Sequence, residues 1–263
     1  MFPLAHVGGP VFEPLQIAGL TLAAVAYTVR SQTLAREGRS VPIWRIVCFA
    51  SGLFLIAVAF VSPLGRIDDE LVFAHMGQHL LMGDLGALLI VLGLTGPLLQ
   101  PLLASRWLGW LRHLAHPLVA LPLWLATYYA WHLPAAYDTA LRHPSTLLHF
   151  EHLCYFVTGV LVWWPVLTGR LDAGSSAAYL FAAFALASPL GLLLALIPRA
   201  VYDFYVHAPR IWGWSALTDQ QVAGLTMAAE EAIVFFGAFA FYFVRFMRRE
   251  STALDLKHAR WTR

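Results

Sequence analysis

Five histidines of this chain, His75, His79, His132, His149 and His152, fall at the ends of long apolar stretches. Imidazole is a borderline ligand, and several rings gathered at one depth in lipid are a way to hold a metal ion or a haem. His75 and His79 are four residues apart and share one helical face, and Met82 continues that stripe three residues on. Two imidazoles and a thioether form a donor set that suits copper, Cu(I) in particular. A single histidine in a span is as often a packing residue as a functional one. A pair at this spacing tips the reading to function, because each ring must find a partner where water is absent. His149 and His152 are three apart and also share a face, and His132 closes another apolar stretch just before Pro134. Glu151 lies between the second pair on a different face. It either accepts from a neighbouring ring nitrogen or faces the headgroups.

A second set of polar residues lies deeper. Gln220, Gly224, Met227 and Glu231 form one stripe at helical spacing, and Gly224 would let another helix approach closely. Glu230, Glu231 and Asp84 fall well inside apolar stretches, where a carboxylate must be neutral or paired. Asp84 is nine residues from His75, hence on the opposite side of a helix, and is not expected to share its metal. Cys48 and Cys154 stand alone in apolar runs with no metal-binding spacing and read as packing residues.

These residues need membrane helices to position them. The chain is 59% hydrophobic and only 12% charged, about half the charge of an average soluble domain; its mean hydropathy is +0.67. Lipid is therefore the solvent for most of its surface. Apolar stretches of roughly 20 residues, the length that crosses a bilayer as helix, are expected at about 13–30, 43–62, 71–94, 116–133, 145–168, 177–198 and 220–246. The expectation is an all-α, seven-transmembrane-helix bundle forming a single integral membrane domain over 1–263. On alternate sides the cationic residues divide thirteen to four, which places the N-terminus outside and the C-terminus in the cytoplasm. All five histidines then fall at the outer face. The first residues lack the positive n-region of a secretory leader, so the first apolar stretch reads as a retained span. The basic end of the chain suits anionic headgroups of membrane lipid. A net charge of +2 offers nucleic acid no patch.

The segments HMGQHLLM, WHLPAAYDTAL, HFEHLCYFVTGVLVWWPVL and TDQQVAGLTM occur in this order between about 68 and 230. In these motifs the chain resembles the seven-span CtaG family of bacterial cytochrome c oxidase assembly factors. The resemblance implies a multi-pass protein of the bacterial plasma (inner) membrane that helps mature a copper-containing oxidase. Its partners would be an oxidase subunit or a copper donor protein. It assigns His75 and His79 to the family's HMxxH motif, His132 to WHLP, and His149 and His152 to HxxH. Asp219, Gln220 and Met227 belong to the last-span motif. Here Gly83 and Asp84 follow the first motif where the family often has a proline pair, and Ala228 follows Met227 where it commonly has an aromatic.

Three functions compete on the residues. The first is a copper-binding assembly factor rather than an enzyme. The second is a haem b redox protein, with imidazoles from two helices on either side of the iron. The third is a metal-dependent transporter or hydrolase, using three histidines for zinc and the deep carboxylates for protons; the chain carries no inverted repeat in its favour.

Overall fold

In lipid, backbone N–H and C=O groups have no water to bond, so long apolar runs close their hydrogen bonds internally as helices. The computed structural model describes residues 14–261 apart from Trp107 and Leu108, with the side chains of Arg66 and of 253–261 also set aside. The expectation of a retained rather than cleaved start touches 1–13, outside the described residues. So do the side chains of Arg66, Lys257, Arg260 and Arg263 in the charge count. Among the described residues every regular element is helical.

The helices that matter here are α1 (Pro14–Arg36), α2 (Ile43–Val61), α3 (Val72–Gly93), α4 (Pro117–Trp131), α5 (Pro134–Arg142), α6 (Pro144–Leu167), α7 (Ala173–Leu196), the short α8 (Asp203–His207) and α9, which begins at Ala216. Five of these, α2, α3, α6, α7 and α9, are long and apolar enough to cross a membrane. The expected spans at 13–30 and 116–133 correspond to α1 and α4, which stand apart from these five. Arg30 and several hydroxyl residues dilute α1. The 15 residues of α4 reach only about 22 Å, against a core about 30 Å thick. The expected span at 220–246 starts earlier, at Ala216, where Ser215 caps the helix by accepting from the Thr218 N–H.

The protein is apolar outside and keeps its polar side chains inside an otherwise apolar core, as lipid requires. Leu118 is 80% and Ile43 79% exposed, whereas His75, Gln78, Asp84, Glu151, Asp219, Gln220 and Glu231 are buried. Helix α7 packs along α9, α2 along α3, and α6 against both α3 and α4; the start of α9 meets the start of α3. Small residues permit two close crossings. A Cβ at Gly159 on α6 would collide with the carbonyl oxygen of Gly83 on α3. A Cβ at Gly224 on α9 would sit 2.5 Å from the Gly191 carbonyl oxygen and 2.6 Å from the Ala195 nitrogen on α7. Among the described residues three π turns interrupt the helices, at Leu80–Gly86, Pro144–Leu148 and Ala232–Phe236. They adjoin His79, His149 and Glu231 respectively. Such turns commonly mark functional positions, because each inserts a residue and rotates the rest of the helix about its axis.

Candidate metal centre

Helix α3 carries the first histidine pair, and its start is anchored by another helix. Leu71 precedes it and supplies no side-chain cap. The carboxylate of Asp219, on α9, accepts instead from the Val72 N–H at 2.8 Å and the Phe73 N–H at 3.0 Å. A helix N-terminus presents unsatisfied N–H groups and a partial positive charge, so a carboxylate suits it twice over. Asp138 of α5 does the same for α8, accepting from the N–H groups of Asp203 and Phe204, each at 3.1 Å. Gln220, beside Asp219, donates to the carbonyls of Leu194 and Arg199 and accepts from the Val201 N–H. It ties the segment after α7 to α9. Asp219 and Gln220 thus hold backbone.

His75 and His79 project from successive turns of α3 and meet His152 from α6. Ring centroids are 4.4 Å apart for His75–His79, 5.7 Å for His75–His152 and 5.3 Å for His79–His152. One ring nitrogen from each of the three lies within 4.8 Å of the others. Both nitrogens of His75, both of His79 and Nε2 of His152 are buried without a hydrogen-bond partner. Buried polar groups are nearly always paired, so this concentration of unpaired nitrogens needs an explanation. Three converging imidazoles, each with an unpartnered buried nitrogen, are a donor set that fits a single d-block ion.

Glu151 also faces this group. It is 0% exposed, its Oε1 lies 3.6 Å from His79 Nε2 and 3.9 Å from His75 Nε2, and neither oxygen has a hydrogen-bond partner. Of the two positions expected for it, the headgroup-facing one does not occur. Tyr155, one turn after Glu151, stacks on His79 at 4.1 Å. Its hydroxyl lies 3.1 Å from Nδ1 of His132.

His132 ends α4 beside the group. Its Nδ1 lies 2.7 Å from the Tyr128 carbonyl oxygen. A carbonyl only accepts, so Nδ1 carries the proton and Nε2, buried and unpartnered, presents a lone pair. His149 is half-buried and falls outside the group of three. Met82 is buried within the π turn, so the α-helical stripe through His75 and His79 does not run on to it undisturbed. Met227 is buried at the α7–α9 crossing, its Cβ 3.3 Å from where a side chain at Gly191 would begin.

The deeper carboxylates form a separate network. Tyr128 donates to Glu231 Oε1 at 2.6 Å, and Asp84 and Glu230 interact electrostatically with Glu231. Cys48 and Cys154 are free thiols.

Sequence reasoning did not single out Asp68 or the tyrosines above the rings. Asp68 lies in the turn before α3, and its backbone carbonyl accepts from the Tyr205 hydroxyl at 2.6 Å. Burial, reinforced by neighbouring Asp69, raises its pKa from 3.8 to about 7. Tyr137 and Tyr202 pack ring to ring at 4.3 Å, and Tyr137 meets His75 edge-on at 5.1 Å. The signal available was the acidic pair Asp68–Asp69 just ahead of the first histidine motif.

Among known proteins, the profile of a family described as cytochrome c oxidase caa3 assembly factor matches residues 25–249. Uncharacterized proteins of Mycobacterium bovis and Mycobacterium tuberculosis are each 25% identical over 241 residues, covering 81% of this chain and 35% of theirs. An uncharacterized protein of Mycobacterium leprae is 25% identical over 243 residues, covering 81% of this chain and 36% of its own. The chain therefore spans about a third of the length of these curated relatives. No solved structure matches.

Proposed function

This chain belongs to the cytochrome c oxidase caa3 assembly factor family, and from that premise we propose that it binds copper in the membrane and helps load or assemble a cytochrome c oxidase. The observation that carries the reading is the trio His75, His79 and His152, in which one ring nitrogen of each lies within 4.8 Å of the others and each ring has a buried nitrogen without a hydrogen-bond partner. In this reading the protein crosses the bacterial plasma membrane seven times. Its N-terminus is outside, its C-terminus is in the cytoplasm, and the trio lies near the outer face, where a copper donor protein or an oxidase subunit could reach it.

His75, His79 and His152 would hold the ion, with His132 Nε2, from a third helix, as a further candidate nitrogen donor; His132 interacts electrostatically with His75 and His79. Bound there, copper would be cargo for transfer, and the site's task is retention and release. Tyr155 keeps the His79 ring in place by stacking, and Asp219 keeps the start of α3 in register. Imidazole binds metal only when neutral, so acid releases the ion. Three converging rings favour a single small ion over haem. A haem iron already has four ring nitrogens and takes only two axial ligands.

Metal and haem analysis of the purified full chain tests the reading, with wild type beside His75→Ala/His79→Ala. About one copper per chain in wild type, its loss in the double variant and no Soret band are expected. A Soret band, or stoichiometric copper retained by the double variant, refutes the reading. Loss of oxidase copper in cells carrying the double variant tests the assembly role.

A further inference from the structure

Resting on the reading of the histidine trio as a metal site, we propose that Glu151 is its fourth ligand, making a three-imidazole, one-carboxylate centre for a divalent d-block cation, Cu2+ or Zn2+. A hydrogen bond from a ring N–H to a carboxylate spans about 2.7–3.2 Å, and Glu151 Oε1 is 3.6 Å and 3.9 Å from its two nearest ring nitrogens. Those spacings are too long for hydrogen bonds. They are close to the edge of a tetrahedron with bonds of about 2.1 Å, which is about 3.4 Å.

Glu151 is fully buried, and neither of its oxygens has a donor. Asp219 and Asp138, two other buried carboxylates near this end of the bundle, each accept two backbone N–H groups. Deeper in the bundle Glu231 Oε1 accepts a tyrosine hydroxyl, while Glu231 Oε2 and both Glu230 oxygens are unpartnered too; what sets Glu151 apart is the imidazoles it meets. Glu151 faces ring nitrogens that lack partners themselves, and one cation among them satisfies the carboxylate and the rings together.

A carboxylate is a harder donor than a thioether, and its attraction to an ion scales with the ion's charge. Glu151 therefore contributes more to holding Cu2+ or Zn2+ than to holding Cu+. The helix supports the choice of residue. Positions 151 and 152 are adjacent around α6 and both are buried, whereas His149, about 160° from Glu151 at the ideal 3.6 residues per turn, is only half-buried.

Affinities of the detergent-solubilised full chain for Zn2+, Cu2+ and Cu+, measured by chelator competition, test the proposal. Glu151→Gln keeps the shape and removes the charge. It is expected to weaken Zn2+ and Cu2+ binding by about 100-fold or more, near or beyond the upper end of the range for losing a supporting partner of a metal site, and Cu+ binding by less than about tenfold. Glu151→Asp should recover part of the divalent affinity. Divalent binding by Glu151→Gln within about threefold of wild type, or an equal loss for Cu+, overturns the proposal while leaving the copper reading intact. A wild-type chain that binds none of the three ions overturns both. X-ray absorption of the Zn2+-loaded wild type needs no variant to fold. Three imidazoles with one oxygen donor are expected, and four imidazoles overturn the carboxylate.

Discussion

Replacing Asp219 by alanine removes both acceptors from the first turn of α3 and leaves the Val72 and Phe73 N–H groups without partners. Substituting an ordinary N-cap by alanine costs about 0.5–2 kcal/mol. Here the acceptor is charged, fully buried and supplied by a different helix, and hydrogen bonds to charged groups contribute about 1.5–3 kcal/mol each. Two such bonds partly compensated by local fraying give an expected loss of about 2–4 kcal/mol. Because His75 stands on the first turn behind those N–H groups, part of that energy is drawn from the geometry of the proposed metal site. The metal affinity should fall by about 10- to 100-fold, as when a supporting partner of a ligand is lost. Asp219→Asn keeps one acceptor oxygen but turns a donor toward the other N–H, and should fall between wild type and Asp219→Ala. Hydrogen exchange of the 72–75 amides, read by mass spectrometry in detergent, reports the fraying directly; chelator competition reports the affinity. Unchanged exchange at 72–75 together with unchanged affinity in Asp219→Ala would refute the claim that α9 positions the ligand-bearing helix.

Gly159→Ala places a methyl group on the Gly83 carbonyl. It should push α6 from α3 and lower both the thermal midpoint and metal affinity, whereas Cys154→Ala, on a half-buried free thiol, should leave both nearly unchanged in a thermal-shift and metal-binding comparison. Asp68 takes up its proton at about pH 7 when folded and near its ordinary 3.8 when unfolded. Between those values the folded chain binds the extra proton, so stability falls as pH rises from about 4 to 7. Asp68→Asn should flatten that slope in thermal melts, and a slope as steep as wild type's would show that other groups set it. Tyr128→Phe strands Glu231 Oε1 without its donor, which should cost about 1–3 kcal/mol in thermal unfolding. Metal affinity should stay within about threefold, because the substitution keeps both the aromatic ring and the backbone carbonyl that Tyr128 presents to His132.

Much of the fold was legible locally. Long apolar runs must be helices in lipid, and five of the seven expected spans have the length and composition to cross. The pair His75 and His79 is legible for the same reason, since four-residue spacing places two rings on one face whatever surrounds them. His152 stood among the candidate partners of that pair, but which residues of its turn would face the pair was not legible. Whether Glu151 or His149 turns inward depends on the rotation of α6 about its own axis. That rotation is set by the Gly83–Gly159 contact and by the π turn that opens the helix, neither of which leaves a periodic trace in the sequence. The same holds for Asp219 and Gln220. They stand in a recognisable motif, but their bonds reach the segments around Val72 and Val201, and a contact of 147 residues' separation is settled only when the helices pack. Spacing along the chain governs what lies one turn away, and tertiary packing alone chooses which faces meet.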